Sequence, residues 1–182
     1  MQLEAQEHYQ KNSFRNRAHI ATANGLQRLS IPLKKGKNES MSIQTVEISY
    51  DENWQKQHWG AITAAYRRSP YFEYYADDLE MLFQQEIKHL FDWNLKLLKF
   101  LYEAWQVPTN WQLTTEYLKE PSDGNQDLRN QIRPKTIADF AAKKLPPKSY
   151  PQVFQEKHDF IPNLSSLDLL FCTGPEGLAY LS

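Results

Sequence analysis

The chain has one cysteine in 182 residues, Cys172. No internal disulfide and no cysteine-rich zinc site can be built from it, which suits a reducing compartment. Its neighbours Leu169-Leu170-Phe171 mark it as a small buried residue rather than a nucleophile. Net charge is also nearly missing: 21 basic against 22 acidic residues leave -1, too little to steer the chain onto nucleic acid or an anionic membrane. No apolar run approaches the roughly 20 residues of a membrane span. The opening Met1-Gln2-Leu3-Glu4-Ala5-Gln6 lacks the basic and apolar regions of a signal peptide. The expectation is a cytoplasmic protein with no nucleic-acid partner and no membrane span. His8, His19, His58, His89 and His158 are scattered, and no pair has metal-ligand spacing with a carboxylate, so no metal is expected. Neither a phosphate-cradling glycine loop nor G-x-S-x-G occurs, so neither a kinase nor a serine hydrolase is expected, and no cofactor is expected.

What is present is apolar mass. With 41% hydrophobic and 13% aromatic residues, the chain can bury one core, so a single domain over residues 1–182 is expected. Asn24-Gly25 between His19–Thr22 and Gln27–Leu33 reads as a hairpin turn, with Pro32 at a strand end. Lys34–Ser40 is a solvated loop, and Ile43–Tyr50 has the composition of a strand. Asp51 stands at the head of a helix carrying Trp54, His58, Ala61, Ile62 and Ala65 on one side, ended by Ser69-Pro70. Tyr71, Tyr75, Leu79, Leu82 and Phe83 mark a second helix. Ile87, Leu90, Phe91, Asn94, Leu98, Leu101 and Trp105 mark a third, stopped at Val107-Pro108. Trp111–Tyr117 reads as a strand and Asp127–Ile132 as a short helix. Residues 134–149, with prolines and lysines around Ile137, Phe140 and Leu145, read as a mobile loop, followed by a strand and short closing helices. The predicted class is α/β or α+β: a small mixed sheet against a layer of three main helices.

Several segments in order, namely Tyr9-Gln10-Lys11, Arg15-Asn16-Arg17, Trp54 to Tyr66 with His58-Trp59, Pro70-Tyr71-Phe72, Tyr150-Pro151-Gln152, Phe160 to Ser165 and Asp168-Leu169-Leu170, together resemble the WbqC-like family. Glu156-Lys157-His158 and Gly174-Pro175-Glu176 resemble the form found in Bacteroidetes-type bacteria. The resemblance implies a setting in surface-polysaccharide (O-antigen) gene clusters and a transfer of a group such as an amino acid onto a sugar. Family members usually begin with an apolar strand and a Tyr-Leu-Pro-like motif ahead of the Tyr9 region, and no such segment precedes Tyr9 here. A domain lacking that strand would expose a neighbouring edge, inviting a homo-oligomer.

Some residues can carry chemistry. Arg15, Asn16 and Arg17 place two guanidiniums beside an amide, either an anion clamp or a solvated strand end paired with carboxylates; in a strand, Arg15 and Arg17 would share a face. His58, one turn after Trp54, faces inward, either as a buried histidine with a hydrogen-bond partner or as a base at a pocket wall. His158 is flanked by charges on a loop, with Asp159 able to orient it. Ser165 and Asp168 have capping-box spacing; alternatively the helix start receives a phosphate or oxyanion, with Tyr150, Gln152 and Asn163 reading sugar hydroxyls. The expected function is a transferase moving an acyl, aminoacyl or glycosyl group onto a nucleotide- or lipid-linked sugar. Its catalytic residues would come from His58, His158 and Asp168, and its binding residues from Arg15, Asn16, Arg17, Tyr150, Gln152, Asn163 and Ser165. The alternative is a non-catalytic sugar-binding or scaffold protein. The transferase reading requires the front guanidiniums and the rear tyrosine, glutamine and asparagine to meet in one cleft.

Overall fold

A computed structural model of the protein describes residues 2–35, 38, 41–117, 119, 127–129, 131–144 and 146–181, excepting the side chains of residues 140 and 142–144. Four residues of the expected 34–40 loop, residue 130 and residue 145 lie outside these.

The turn at Asn24 folds β2 (Arg17–Thr22) back on β3 (Gly25–Ser30), antiparallel from Arg17↔Ser30 to Thr22↔Gly25. Gly25 takes φ +97, a conformation glycine adopts without Cβ strain. The Thr22 hydroxyl closes the turn, donating to the Gly25 carbonyl (2.9 Å) and accepting from the Asn24 N–H (3.2 Å). A second, parallel pair joins β1 (Gln2–Leu3) to β4 (Gln112–Leu113). Strand content is thus small and of mixed direction, as the sequence predicts. Most of the expected Trp111–Tyr117 strand is irregular, because only two of its residues find a ladder partner.

Ile43–Tyr50 is not the continuous strand its composition suggests. Ile43–Thr45 forms a 3-10 turn, and Glu47 and Ile48 make isolated bridges to His89 and Leu33. Its buried residues explain why: Ile43, Val46 and Ile48 are spaced by three and then two, which puts all three inward only if a helical turn precedes an extended stretch.

Three main helices form the layer: α1 (Trp54–Tyr66), α2 (Phe72–Phe83) and α3 (Leu90–Ala104). The cap of α1 is Asn53, whose side chain accepts from the Lys56 N–H. Asp51 instead accepts from the Ser49 hydroxyl at 2.7 Å, so the expected Asp51 cap is two residues off. On α3 the buried residues are Leu90, Trp93 and Phe100, a face rotated from the predicted stripe so that the indole of Trp93 reaches the centre. There Trp54, Phe83 and Trp93 meet edge to face, with ring centroids 5.2 to 6.3 Å apart, the favoured geometry for aromatic quadrupoles.

The 134–149 stretch contains α4 (Ile137–Lys144) rather than loop alone. Asp127–Arg129 is not helical: the Asp127 carboxylate holds the Arg129 backbone and guanidinium instead, favouring a turn. No strand occurs among the described residues between α4 and the C-terminus. That region holds the single-turn α5 (Gln155–His158), α6 (Ser166–Thr173) and a closing 3-10 helix over Gly174–Tyr180. Among the described residues no helix is long and apolar enough to cross a membrane.

Candidate functional site

The spacing Trp54, His58, Ile62 places one residue per turn on the inner face of α1, and this face forms one wall of a cavity of about 220 Å³. Opposite stands the turn Phe14–Asn16 with Arg17. Ser13 starts that turn, its hydroxyl donating to the Gln10 carbonyl (2.6 Å) and accepting from the Arg15 N–H. Asn94 of α3 donates to the Arg15 carbonyl at 2.8 Å. Asn16 ties the turn to the hairpin twice, its carbonyl accepting from the Ile31 N–H (2.8 Å) and its Nδ2 donating to the Ile31 carbonyl (3.0 Å). The turn is therefore held from both sides.

This geometry changes the expected arginine pair. Arg15 sits in the 3-10 turn and only Arg17 begins a strand, so they do not share a strand face. The Arg15 guanidinium grips the Glu7 carboxylate through Nε (2.6 Å) and Nη2. Arg17 makes no ion pair among the described residues, and its buried Nε has no hydrogen-bond partner.

Two more buried side-chain atoms of residues that line this cavity lack partners among the described residues, Asn16 Oδ1 and Trp54 Nε1, although neither atom is itself exposed to the cavity space. An unsatisfied buried polar atom costs about 1–3 kcal/mol. His58 lies beside them, its ring edge-on to Trp54 at 5.2 Å. Burial holds its pKa below the ordinary 6.5 against the opposing effect of a hydrogen bond to the Ser30 backbone, so the imidazole is neutral near pH 7. The remaining wall is mostly aliphatic and aromatic, including Ile20, Leu29, Phe83, Leu97 and Leu101.

Ser165 also reaches this cavity. Its hydroxyl accepts from the Leu167 N–H at 3.3 Å and caps α6. Asp168 does not complete the capping box. It is fully buried and accepts from the hydroxyls of Tyr66 and Tyr150, each at 2.8 Å. The Ala21 N–H donates to the same Tyr66 oxygen at 3.2 Å. Burial raises the Asp168 pKa above the usual carboxylate range, opposed by its hydrogen bonds from Tyr66, Tyr150 and Gln152; burial likewise raises both tyrosines. Gln152 pairs both ends of its amide with the Ile161 backbone at 2.9 Å. Tyr150, Gln152 and Asp168 thus come together as a buried structural node.

The cavity wall therefore carries Arg15, Asn16, Arg17, His58 and Ser165 but not Tyr150, Gln152, Asn163, His158 or Asp168, so the single cleft expected to join the front guanidiniums with the rear tyrosine, glutamine and asparagine is not formed among the described residues, and a site of the expected residues can be built only on the front set. Gln152 borders a separate hollow with Arg67 and Arg68. Asn163 takes a left-handed backbone, φ +60. His158 ends α5, not a loop, with Nε2 3.1 Å from the carbonyl of Ala23 at the hairpin tip. Trp54 Nε1 and Tyr66 escape a reading of the sequence: the helical period puts both inside, yet it says nothing about which indole or hydroxyl finds a partner. Among the described residues, no three His, Cys, Asp or Glu gather as metal ligands.

The uncharacterized protein Rv1507c of Mycobacterium tuberculosis is 27% identical over 196 residues, spanning 95% of this chain and 83% of that protein. No solved structure matches. The model of the WbqC-like protein family matches residues 2–140, which takes in every element of the cavity wall except Ser165 and Leu167 at the start of α6. The chain belongs to the WbqC-like protein family.

Proposed function

We propose that this protein is a transferase of surface-polysaccharide biosynthesis, moving an acyl, aminoacyl or glycosyl group onto an activated sugar, and that the cavity between α1 and the Phe14–Arg17 turn is where the reacting group binds. The observation that carries the reading is the meeting, from distant parts of the chain, of His58, its pKa lowered by burial, with Asn16, Arg17 and Trp54 on the wall of one cavity. Sites for drug-sized ligands span about 300–1,000 Å³. A cavity of about 220 Å³ suits a reacting unit the size of a single acid or sugar ring, with any nucleotide or lipid carrier left outside.

In acyl transfer, the oxygen of a sugar hydroxyl forms the new bond to the carbonyl carbon of an activated ester or thioester. The bond from that carbon to the carrier breaks, and the carrier leaves with the electron pair. His58 is the base that takes the hydroxyl proton; its depressed pKa keeps the accepting form fully populated at neutral pH. Arg17, half-buried on the cavity wall, supplies positive charge toward the carbonyl oxygen as charge develops on it. Arg15, committed to Glu7, positions the turn.

The test is a transfer assay pairing nucleotide sugars with acyl, aminoacyl and glycosyl donors. Turnover should fall at least about 100-fold in His58→Gln, the size of a general-base contribution, with donor binding within about threefold of wild type. Binding of sugar with no transfer from any donor would replace the transferase with the sugar-binding alternative.

A further inference from the structure

Consecutive residues of a continuing helix point about 100° apart and do not serve one site. Helix α1 stops at Tyr66, and the turn that follows changes this. Both the N–H (2.8 Å) and the hydroxyl (2.6 Å) of Ser69 donate to the Tyr66 carbonyl, closing the chain on itself before Pro70, and Arg67 and Arg68 come to line one hollow of about 480 Å³. Both arginines are exposed, and neither makes an ion pair among the described residues. Across from them stands Pro151–Phe154, held by the double hydrogen bond of the Gln152 amide to the Ile161 backbone. Among the described residues no acidic side chain lines the hollow, so positive charge gathers there on a chain whose net charge is -1. The hollow shares no lining residue with the α1 cavity.

The other polar side chains of the hollow are committed, Gln152 to Ile161 and Ser69 to Tyr66. The rest of the lining, including Ala65, Val153, Phe154 and Cys172, is apolar; burial pushes the Cys172 thiol up to about 12, so it stays neutral. A ligand therefore meets two guanidinium forks and an apolar wall. One carboxylate fills one fork, whereas a diphosphate carries enough anionic oxygens to take both bidentately. The volume falls within the roughly 300–1,000 Å³ of small-molecule sites, which leaves room beside two phosphates for an organic body. We propose that this hollow binds a diphosphate ester, with Arg67 and Arg68 clamping the phosphates and the esterified group packed against Val153 and Phe154. Nucleoside and isoprenoid diphosphates both present this chemistry. The proposal goes beyond the transferase reading and stands without it.

Calorimetric titration of the full chain tests it with inorganic phosphate, pyrophosphate, uridine, uridine diphosphate and farnesyl diphosphate, at about 0.15 M salt so that unspecific surface attraction is screened. Pyrophosphate should bind at least about 10-fold more tightly than phosphate. At least one ester should bind more tightly still, the tighter of the two identifying the source, and uridine should give no measurable heat. Arg67→Lys and Arg68→Lys keep the charge but lose the fork, and each should weaken that ester about 10-fold. Arg67→Gln combined with Arg68→Gln should weaken it at least about 100-fold. Both positions are exposed, and the comparison of probes on the unaltered protein stands even if a variant fails to fold. Arg28→Gln removes the same charge from an exposed hairpin position outside the hollow and should change nothing. No diphosphate binding, affinity untouched by the double variant, or an equal loss in Arg28→Gln overturns the proposal.

Discussion

Removing one hydroxyl from Tyr66 should destabilise the protein more than removing the chemically identical one from Tyr150. Tyr66 is fully buried. Its oxygen donates to Asp168 and also accepts from the Ala21 N–H. Tyr66→Phe therefore deletes a hydrogen bond to a carboxylate, about 1.5–3 kcal/mol, and strands a buried amide, about 1–3 kcal/mol more. The sum is about 2.5–6 kcal/mol, a large share of the roughly 5–15 kcal/mol that holds a domain together. Tyr150→Phe loses its bond to Asp168 and its interaction with the Gln152 side chain, at a half-buried position where water can substitute, and should cost about 1–3 kcal/mol. At about 2–4 °C per kcal/mol for a chain of this size, the expected drops in Tm are about 5–24 °C and about 2–12 °C. The ionisation state supplies a second signature. Because burial raises the folded pKa of Asp168, the stability from its protonated form is full below the ordinary carboxylate value and is lost as pH rises through the folded value. The Tyr66 bond opposes that rise, so its loss should hurt more at pH 7 than at pH 4. Urea titrations of both variants at the two pH values measure this. A Tyr66→Phe cost below about 0.5 kcal/mol, or one no larger than that of Tyr150→Phe, would refute the network as described.

Three further outcomes are expected. Gly174 sits at φ +61, where an added Cβ would lie 2.5 Å from the Tyr71 ring, so Gly174→Ala should cost about 2–5 kcal/mol in a thermal melt, combining backbone strain with overpacking. His58 and His19 are both held below 6.5, chiefly by burial, with Arg28 and Arg17 adding to the effect on His19. Their contribution is complete above 6.5 and is lost as pH falls through the lowered values, so stability should decline on acidification below about pH 6.5, and less steeply, by up to about 1.4 kcal/mol per pH unit, in His58→Gln. Glu7→Gln leaves the Arg15 guanidinium largely buried without its charge partner and should lower stability by about 2–4 kcal/mol in urea, with binding at the cavity weakened as the Phe14–Asn16 turn loosens.

The helices were legible because their apolar residues recur at three and four over long stretches, and the hairpin because Asn24-Gly25 admits few alternatives. Segment 43–50 was not, since Ile43, Val46 and Ile48 satisfy a strand composition while their burial requires a turn first. The inward face of His58 could be read from its place one turn after Trp54. That Arg15 would be consumed by Glu7 could not, because the pairing depends on how the chain before the turn folds back. Asp168 at three residues from Ser165 looks like a capping acid, and only the tertiary approach of Tyr66, 102 residues away, diverts it. Local period fixes which side of an element faces inward; which polar atoms remain unpaired there is decided by long-range packing.

The claim that the α1 cavity is a ligand site is tested most directly by the indole N–H signal of Trp54 in an amide-nitrogen NMR spectrum, identified among the five tryptophans by its loss in Trp54→Phe. Addition of a donor that supports transfer should move that signal and saturate the shift, because Trp54 stands on the cavity wall. A Trp54 signal that stays fixed while a donor binds, or a failure of every donor to bind, would contradict the account.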